Sequence, residues 1–193
     1  WPSWAMQHGE RVMVMSTPTN STTILITTGP ESSGKTTLAR QLSDYWKTPL
    51  ISEVARDYLK DKDTYQQQDL LEIAKQQHQQ ELDHLSASPI KLVCDTDLLV
   101  IMVWSEIKYG HCDRWITTTF ENSIKQQTSS RFYFLCDCNI PWQADPLREN
   151  PHNRDELFAL YLQKLKKYGL SHSIVKGNPQ ERLQHALNSK VSE

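Results

Sequence analysis

The sequence predicts an α/β protein with an open, doubly wound parallel sheet of five strands, arranged as a three-layer sandwich. Two observations carry this prediction. Five short apolar runs alternate with longer amphipathic stretches along the 193 residues, as in repeated βα units. The runs show no regular polar alternation, which is typical of strands that helices cover on both faces.

The predicted strands and helices follow one another in regular order. Apolar runs rich in branched side chains mark the strands, which are predicted at residues 22–28, 49–52, 90–95, 131–137 and 172–176. Apolar residues spaced by three or four positions mark the helices, which are predicted at about 35–47, 53–60, 67–86, 97–109, 113–127, 154–168 and 179–190. Breakers such as Pro89, Gly110 and Gly169 separate these elements.

One domain is expected, because 193 residues suffice to bury a single core. It is predicted to span residues 22–193, after an N-terminal extension of residues 1–21 whose part before Met6 is compatible with an artificial addition. The formal net charge of -2 shows no separation of sign along the chain, so neither a nucleic-acid surface nor a membrane surface is expected. Four cysteines without C-x-x-C spacing favour reduced thiols and a cytoplasmic location.

A phosphate-binding loop is predicted in ILITTGPESSGKTTLARQL, residues 24–42. It matches G-x-x-x-x-G-K-[ST] in full, between a predicted strand and a predicted helix, which is the context that the motif requires. Backbone N–H groups and the helix N-terminus attract the phosphates, while Lys35 is expected to reach the β- and γ-phosphates and Thr36 to ligate magnesium. The residues expected to bind ATP here are Gly29, Glu31, Ser32, Ser33, Gly34, Lys35, Thr36 and Thr37.

This loop alone does not define the reaction, because kinases, GTPases and motor ATPases all contain it. A GTPase is disfavoured, since the sequence contains neither an N-K-x-D nor a D-x-x-G motif. Residues elsewhere in the chain must therefore distinguish a kinase from an ATPase.

Carboxylates follow the second and third predicted strands. Asp95 and Asp97, in LVCDTD, are expected to hold magnesium or to accept a proton from the attacking hydroxyl, and the alternative for Asp97 is a helix cap. Glu53, in ISEVARDYL, is expected to orient and deprotonate a substrate hydroxyl beside Arg56. The alternative is a first-turn glutamate favoured by the helix dipole, with Arg56 on a solvated face.

A basic lid is predicted after the fourth strand, within residues 140–165, where Arg148, His152 and Arg154 lie. Guanidinium groups on such a loop could close over the triphosphate and stabilise the charge on the transferred group. The alternative is a polar loop with solvated arginines.

Aromatic residues are candidates for stacking on a flat substrate ring. They are Trp104 and Tyr109 in a predicted helix and Trp142 in the predicted lid. Core packing is the alternative for Trp104. His78 is interpreted as a surface histidine rather than a pocket residue.

Taken together, these motifs resemble the ribosylnicotinamide kinase domain of the bacterial NadR-type regulators and its stand-alone P-loop relatives. The resemblance covers about residues 22–190 and is carried by GPESSGKTTL, SEVARDYL, DTDLLV and PWQADPLR. The regulators also have a DNA-binding segment and an adenylyltransferase domain before the kinase, but only about twenty residues precede the first strand here. The resemblance therefore extends neither to repression nor to adenylyl transfer.

The resemblance implies ATP-dependent phosphorylation of the ribose 5′-hydroxyl of nicotinamide riboside. It implies that Lys35 and Thr36 serve ATP and magnesium, and that Arg148 belongs to the closing lid. It further implies that Glu53 and Arg56 serve the substrate, and that Asp95 and Asp97 serve the hydroxyl or the metal. The substrate-binding residues are thus expected to be Glu53, Arg56, Asp97 and Trp104.

The predicted function is that of a small-molecule kinase that uses Mg-ATP and a nucleoside-like acceptor. Two alternatives stay open: a P-loop kinase of another nucleoside or small metabolite, and a regulatory ATPase. The choice of general base among Glu53, Asp95 and Asp97 also stays open.

Overall fold

Five parallel strands form the central sheet of the structure, a computed structural model that describes residues 21–141 and 153–191. Their spatial order is β2-β3-β1-β4-β5, and every neighbouring pair runs parallel. The predicted fold class is therefore confirmed. The strands are β1 Thr22–Thr28, β2 Leu50–Ile51, β3 Lys91–Asp95, β4 Ser129–Cys136 and β5 His172–Val175.

In the described residues, seven helices connect or follow these strands, in agreement with the predicted order. Some boundaries differ: the second strand is shorter than predicted, because β2 lies at the sheet edge and pairs only through Leu50 and Ile51. The helices are α1 Lys35–Trp46, α2 Val54–Leu59, α3 Gln67–Ser86, α4 Leu98–Tyr109, α5 Arg114–Ile124, α6 Arg154–Lys167 and α7 Pro179–Leu187.

Two apolar cores lie on opposite faces of the sheet, because successive strand residues point in opposite directions. On β1, Ile24 and Ile26 belong to the larger core, which α2 to α6 complete. Leu25 belongs to the smaller core with α1 and α7. Each face of every central strand is thus buried, which explains why the strand sequences lack polar alternation.

The strand order creates the position for a ligand. β1 lies in the middle of the sheet, between β3 and β4. The connection after β1 leads to β2 at one edge of the sheet, whereas the connection after β3 leads to β4 on the other side of β1. Ligands of open α/β sheets bind in the crevice beyond the carboxyl ends of the strands at this point. No helix in residues 21–141 and 153–191 is long and apolar enough to cross a membrane.

Parts of two predicted segments lie outside the described residues. They are the N-terminal extension up to residue 20 and residues 142–152 of the predicted lid, which include Trp142, Arg148 and His152. Cys94, Cys112, Cys136 and Cys138 are all described and form no disulfide.

Candidate active site

The phosphate loop connects the carboxyl end of β1 to α1, and a glycine with positive φ lies at each end. Gly29 has φ 134° and Gly34, the residue that precedes α1, has φ 82°. A Cβ atom on Gly29 would lie 2.9 Å from the carbonyl oxygen of Cys136, because β4 passes directly beside it. Glycine is therefore required at position 29 for the backbone to turn and for β4 to approach.

Side chains of the loop hold its own backbone. The hydroxyl of Ser33 donates to the carbonyl of Pro30 at 2.7 Å, and the ammonium of Lys35 donates to the same oxygen at 2.6 Å. Ser33 is fully buried, while Ser32 adopts a positive φ of 56°. The loop is thus preorganised around Pro30, and its residues line a cavity together with Thr36 and Thr37.

Thr36 and Asp95 meet beneath the loop, although 59 residues separate them in the chain. The Thr36 hydroxyl donates to Asp95 Oδ2 at 2.7 Å. Burial raises the pKa of the Asp95 carboxyl, and the hydrogen bond from Thr36 and the charge of Lys35 oppose that effect. The other oxygen, Asp95 Oδ1, is buried without a hydrogen-bond partner in the described part of the chain.

This pair fits a magnesium ion. A hydroxyl and a carboxylate are the oxygen ligands that Mg²⁺ prefers, and the unsatisfied Oδ1 of Asp95 has a further lone pair to offer, directly or through water. The described residues contain no cluster of three or more acidic, histidine or cysteine side chains that could hold a metal. Protein sites usually bind Mg²⁺ through one or two carboxylates together with phosphate oxygens.

Asp97 lies in a buried polar network behind the site. Its Oδ1 accepts from the N–H of Leu99 at 3.0 Å and so caps α4, as the alternative prediction described. Its Oδ2 accepts from the hydroxyl of Tyr133 at 2.6 Å and lies 3.5 Å from Nη1 of Arg131, which also pairs with Glu81. Burial raises the pKa of Asp97 to about 6 against the charge of Arg131. Interior groups thus engage both carboxylate oxygens of Asp97, an arrangement that does not favour its predicted role as a base.

Glu53 and Arg56 line the same cavity as the phosphate loop. Glu53 precedes α2 without capping it through its side chain, and the Val54 N–H donates instead to Gln77 at 3.3 Å. The Glu53 carboxylate lies 3.8 Å from Nη2 of Arg56. The side chains are 24% and 49% exposed, which leaves both accessible to a ligand that enters the cavity.

An apolar wall also lines this cavity. It consists of one face of α4, with Trp104 and Ile107, and of Leu157 and Tyr161 from α6. Trp104 packs against the larger core and also lines the cavity, and its indole N–H donates to the hydroxyl of Tyr65 at 2.8 Å. Both predicted roles of Trp104 are therefore compatible with its position.

The structure does not bring Tyr109 and His78 to the cavity. Tyr109 donates to the backbone carbonyl of Tyr65 at 3.3 Å. His78 packs edge-on against Trp115 with 6.0 Å between ring centroids, and burial lowers its pKa. Neither side chain lines the cavity, which has a volume of about 610 Å³.

Two arginines hold the phosphate loop through its carbonyl groups. Arg154, which is predicted to lie over the triphosphate, donates to the carbonyl of Ile140 at 2.7 Å and to that of Ser32 in the phosphate loop at 3.5 Å. Arg182, which is not among the predicted residues, is only 2% exposed and donates to the carbonyl of Ser33. The one signal for Arg182 in the sequence is its position four residues before Ala186, on the buried face of α7.

Comparisons with known proteins agree with this geometry. A family model described as an AAA domain matches residues 24–182. A NadR protein solved in complex with NR superposes with a TM-score of 0.62 at 19% identity, over 86% of this chain and 48% of that chain. A NadR protein in complex with NAD and AMP-PNP gives 0.60 at 17% identity, over 89% and 51%. The chain thus spans about half the length of these NadR proteins.

A deoxyadenosine kinase from M. mycoides gives a TM-score of 0.59 at 13% identity, over 86% of this chain and 97% of that chain. No curated protein sequence matches the chain. At such identities the superpositions establish the fold alone, and this fold is that of P-loop kinases, so the predicted resemblance to NadR is confirmed at that level. Because the family model covers most of the 193 residues, the chain belongs to the AAA domain family.

Proposed function

We propose that the protein is a Mg-ATP-dependent kinase of a small nucleoside-like acceptor and that nicotinamide riboside is this acceptor. One observation carries the proposal: the cavity that the phosphate loop lines is also lined by Glu53, Arg56 and the apolar wall with Trp104. We call the part at the phosphate loop the first end and the part at Glu53 and Trp104 the second end. A nucleotide switch requires the first end only. A kinase requires both, because the acceptor must lie next to the terminal phosphate.

The first end suits a nucleoside triphosphate. The backbone N–H groups of the loop and the start of α1 would bind the phosphates, and Lys35 would exchange its bond to Pro30 for a phosphate oxygen. Thr36 and Asp95 would hold magnesium, whose positive charge would neutralise the negative charge of the phosphate oxygens.

The second end suits a hydroxylated ligand with a flat ring. The Glu53 carboxylate would accept a hydrogen bond from the acceptor hydroxyl and take its proton as the hydroxyl oxygen bonds to the γ-phosphorus. The bond between that phosphorus and the bridging oxygen breaks, and the electron pair stays on the nucleoside diphosphate. Arg56 would bind a ribose hydroxyl beside Glu53, and the ring would pack against Trp104.

Nicotinamide riboside is the first choice of acceptor because the sequence motifs resemble those of NadR-type kinases and because one superposed NadR protein was solved in complex with NR. Another nucleoside is the alternative that the superposed deoxyadenosine kinase supports. A cationic pyridinium ring would also suit the aromatic wall electrostatically, since ring faces attract cations.

An acceptor panel tests the proposal. Purified protein is incubated with ATP and magnesium and with nicotinamide riboside, deoxyadenosine or no acceptor, and products are identified by mass. We expect a product one phosphate heavier than nicotinamide riboside, and none with Lys35→Ala, which removes the cation that the phosphates need. Phosphorylation of deoxyadenosine alone would mean that the acceptor is a nucleoside other than nicotinamide riboside. ATP hydrolysis that no acceptor accelerates would contradict the kinase and favour a regulatory ATPase.

A further inference from the structure

Arg182 connects three separate loops that meet at the phosphate site. Its Nη1 donates to the carbonyl of Ser33 in the phosphate loop at 2.5 Å, and its Nη2 donates to that of Asp137 after β4 at 2.8 Å. Its Nε donates to the carbonyl of Gly177 after β5 at 2.8 Å. The guanidinium group therefore holds the carboxyl ends of β1, β4 and β5 at fixed positions relative to one another, and the side chain also lines the cavity.

The bond to Ser33 fixes the direction of a donor in the phosphate loop. A trans peptide group is planar, and its C=O and N–H point in opposite directions. The described chain contains no cis peptide bond. Because the Ser33 carbonyl points towards Arg182, the N–H of the next residue, Gly34, points away from Arg182. A guanidinium bound to that carbonyl also polarises the peptide group and makes the Gly34 N–H a stronger donor.

Within residues 21–141 and 153–191 no carboxylate lies at salt-bridge distance from Arg182, and all three of its hydrogen-bond acceptors are backbone carbonyls. A buried charge that lacks a counter-charge is costly. Lys35 donates to the carbonyl of Pro30 and Arg182 donates to that of Ser33, and both residues line the cavity at the loop. An anion bound at the loop would supply a counter-charge for the buried guanidinium.

We propose that Arg182 is a positioning residue of the phosphate site: it orients the Ser33–Gly34 peptide so that the Gly34 N–H donates to the bound phosphate, and it adds a buried positive charge behind the loop. This inference rests on the proposed function, in which the loop binds a nucleoside triphosphate. Arg182 acts through the loop and is not required to touch the reacting atoms.

The alternative is that Arg182 serves only to stabilise the fold, and a matched variant separates the two roles. Arg182→Met removes the charge and all three hydrogen bonds. Leu183→Ala is the control, because Leu183 lies on the same helix and packs against the smaller core but is not among the residues that line the cavity. Thermal unfolding of both variants establishes how far each one is destabilised.

The probe is inorganic tripolyphosphate with magnesium, measured by calorimetry and by the amide resonance of Gly34 in ¹⁵N-labelled protein. The chain has six glycines, so their amide signals are few and can be assigned. We expect Arg182→Met to weaken tripolyphosphate binding by about tenfold or more, as loss of a charged hydrogen bond does. We expect the Gly34 shift on binding to fall by about half or more, because the loop no longer presents this donor. Leu183→Ala is expected to keep both within about twofold, since it lies away from the loop.

Two results would overturn the inference and leave the proposed function intact. One is wild-type affinity together with a wild-type Gly34 shift in Arg182→Met, and the other is an equal loss in Leu183→Ala at equal destabilisation. If Arg182→Met does not fold, Arg182→Lys decides, because the single nitrogen of an ammonium group cannot occupy the three positions from which Nε, Nη1 and Nη2 of Arg182 donate. A wild-type Gly34 shift in Arg182→Lys would also overturn the inference. Failure of the wild-type protein to bind tripolyphosphate would instead refute the proposed function, and the inference with it.

Discussion

Glu53 is the residue on which the proposed proton transfer depends. Replacement by glutamine keeps the size of the side chain but removes its capacity to accept a proton. We expect Glu53→Gln to lower kcat by about 10² or more, as loss of a general base does, with little change in ATP affinity. Steady-state kinetics with nicotinamide riboside measures both values, and Glu72→Gln, a change on the surface of α3, is the control. An unchanged kcat would exclude Glu53 as the base.

Asp95 provides a separate test at the residue scale, because the proposed metal site depends on its carboxylate. Asp95→Asn keeps a hydrogen-bond acceptor for Thr36 but removes the negative charge. We expect the magnesium concentration for half-maximal turnover to rise by about tenfold or more, since charged oxygens bind Mg²⁺ far better than amides. A magnesium titration of turnover measures this, with the exposed Asp44→Asn as control. An unchanged titration midpoint would place the metal elsewhere.

At the scale of elements, the phosphate loop depends on a glycine that β4 approaches. Gly29→Ala would place a methyl group 2.9 Å from the carbonyl oxygen of Cys136. Gly110→Ala is the matched control, because it also has positive φ but has no atom within 4 Å of the added group. We expect Gly29→Ala to lower the free energy of unfolding by about 2 kcal/mol more than Gly110→Ala. Chemical denaturation measures the difference, and equal losses would contradict the close approach.

A buried ion network connects β4, α3 and α4. Arg131 pairs with Glu81 and lies beside Asp97, and all three side chains are buried. Arg131→Met would leave two buried carboxylates without their cation, which is expected to lower the free energy of unfolding by about 3 to 5 kcal/mol. Chemical denaturation tests this against Arg114→Met on the exposed surface of α5. A loss no larger than that of Arg114→Met would mean that the network contributes little.

The sequence predicted the elements and the phosphate loop better than the residues that support that loop. Strand, helix and loop patterns are local, so the order of β1 to β5 and the turn from Gly29 to Gly34 could be predicted from neighbouring residues. The position of Arg154 could not, because its carbonyl partner at Ser32 lies 122 residues away. Arg182 bonds Ser33 across 149 residues, and its spacing to Ala186 on α7 is a local signal of burial that does not identify this partner.

The whole molecule brings two chemical environments into one cavity. In the sheet, β1 and β3 are neighbours, so the phosphate loop after β1 lies beside Asp95 at the end of β3. The segment after β2 brings Glu53 to the same carboxyl-terminal edge of the sheet. α4 and α6 then close the far end with apolar side chains. Transfer of the terminal phosphoryl group to an acceptor, rather than to water, is therefore the central claim at this scale.

The most direct measurement follows the labelled γ-phosphate of ATP in the presence of magnesium, with and without nicotinamide riboside. The account predicts that most of the label leaves ATP only when nicotinamide riboside is present and that it appears on the ribose of that acceptor, because an acceptor bound at Glu53 would have its hydroxyl beside the phosphate. Label released as inorganic phosphate at a rate that the acceptor does not change would contradict the account.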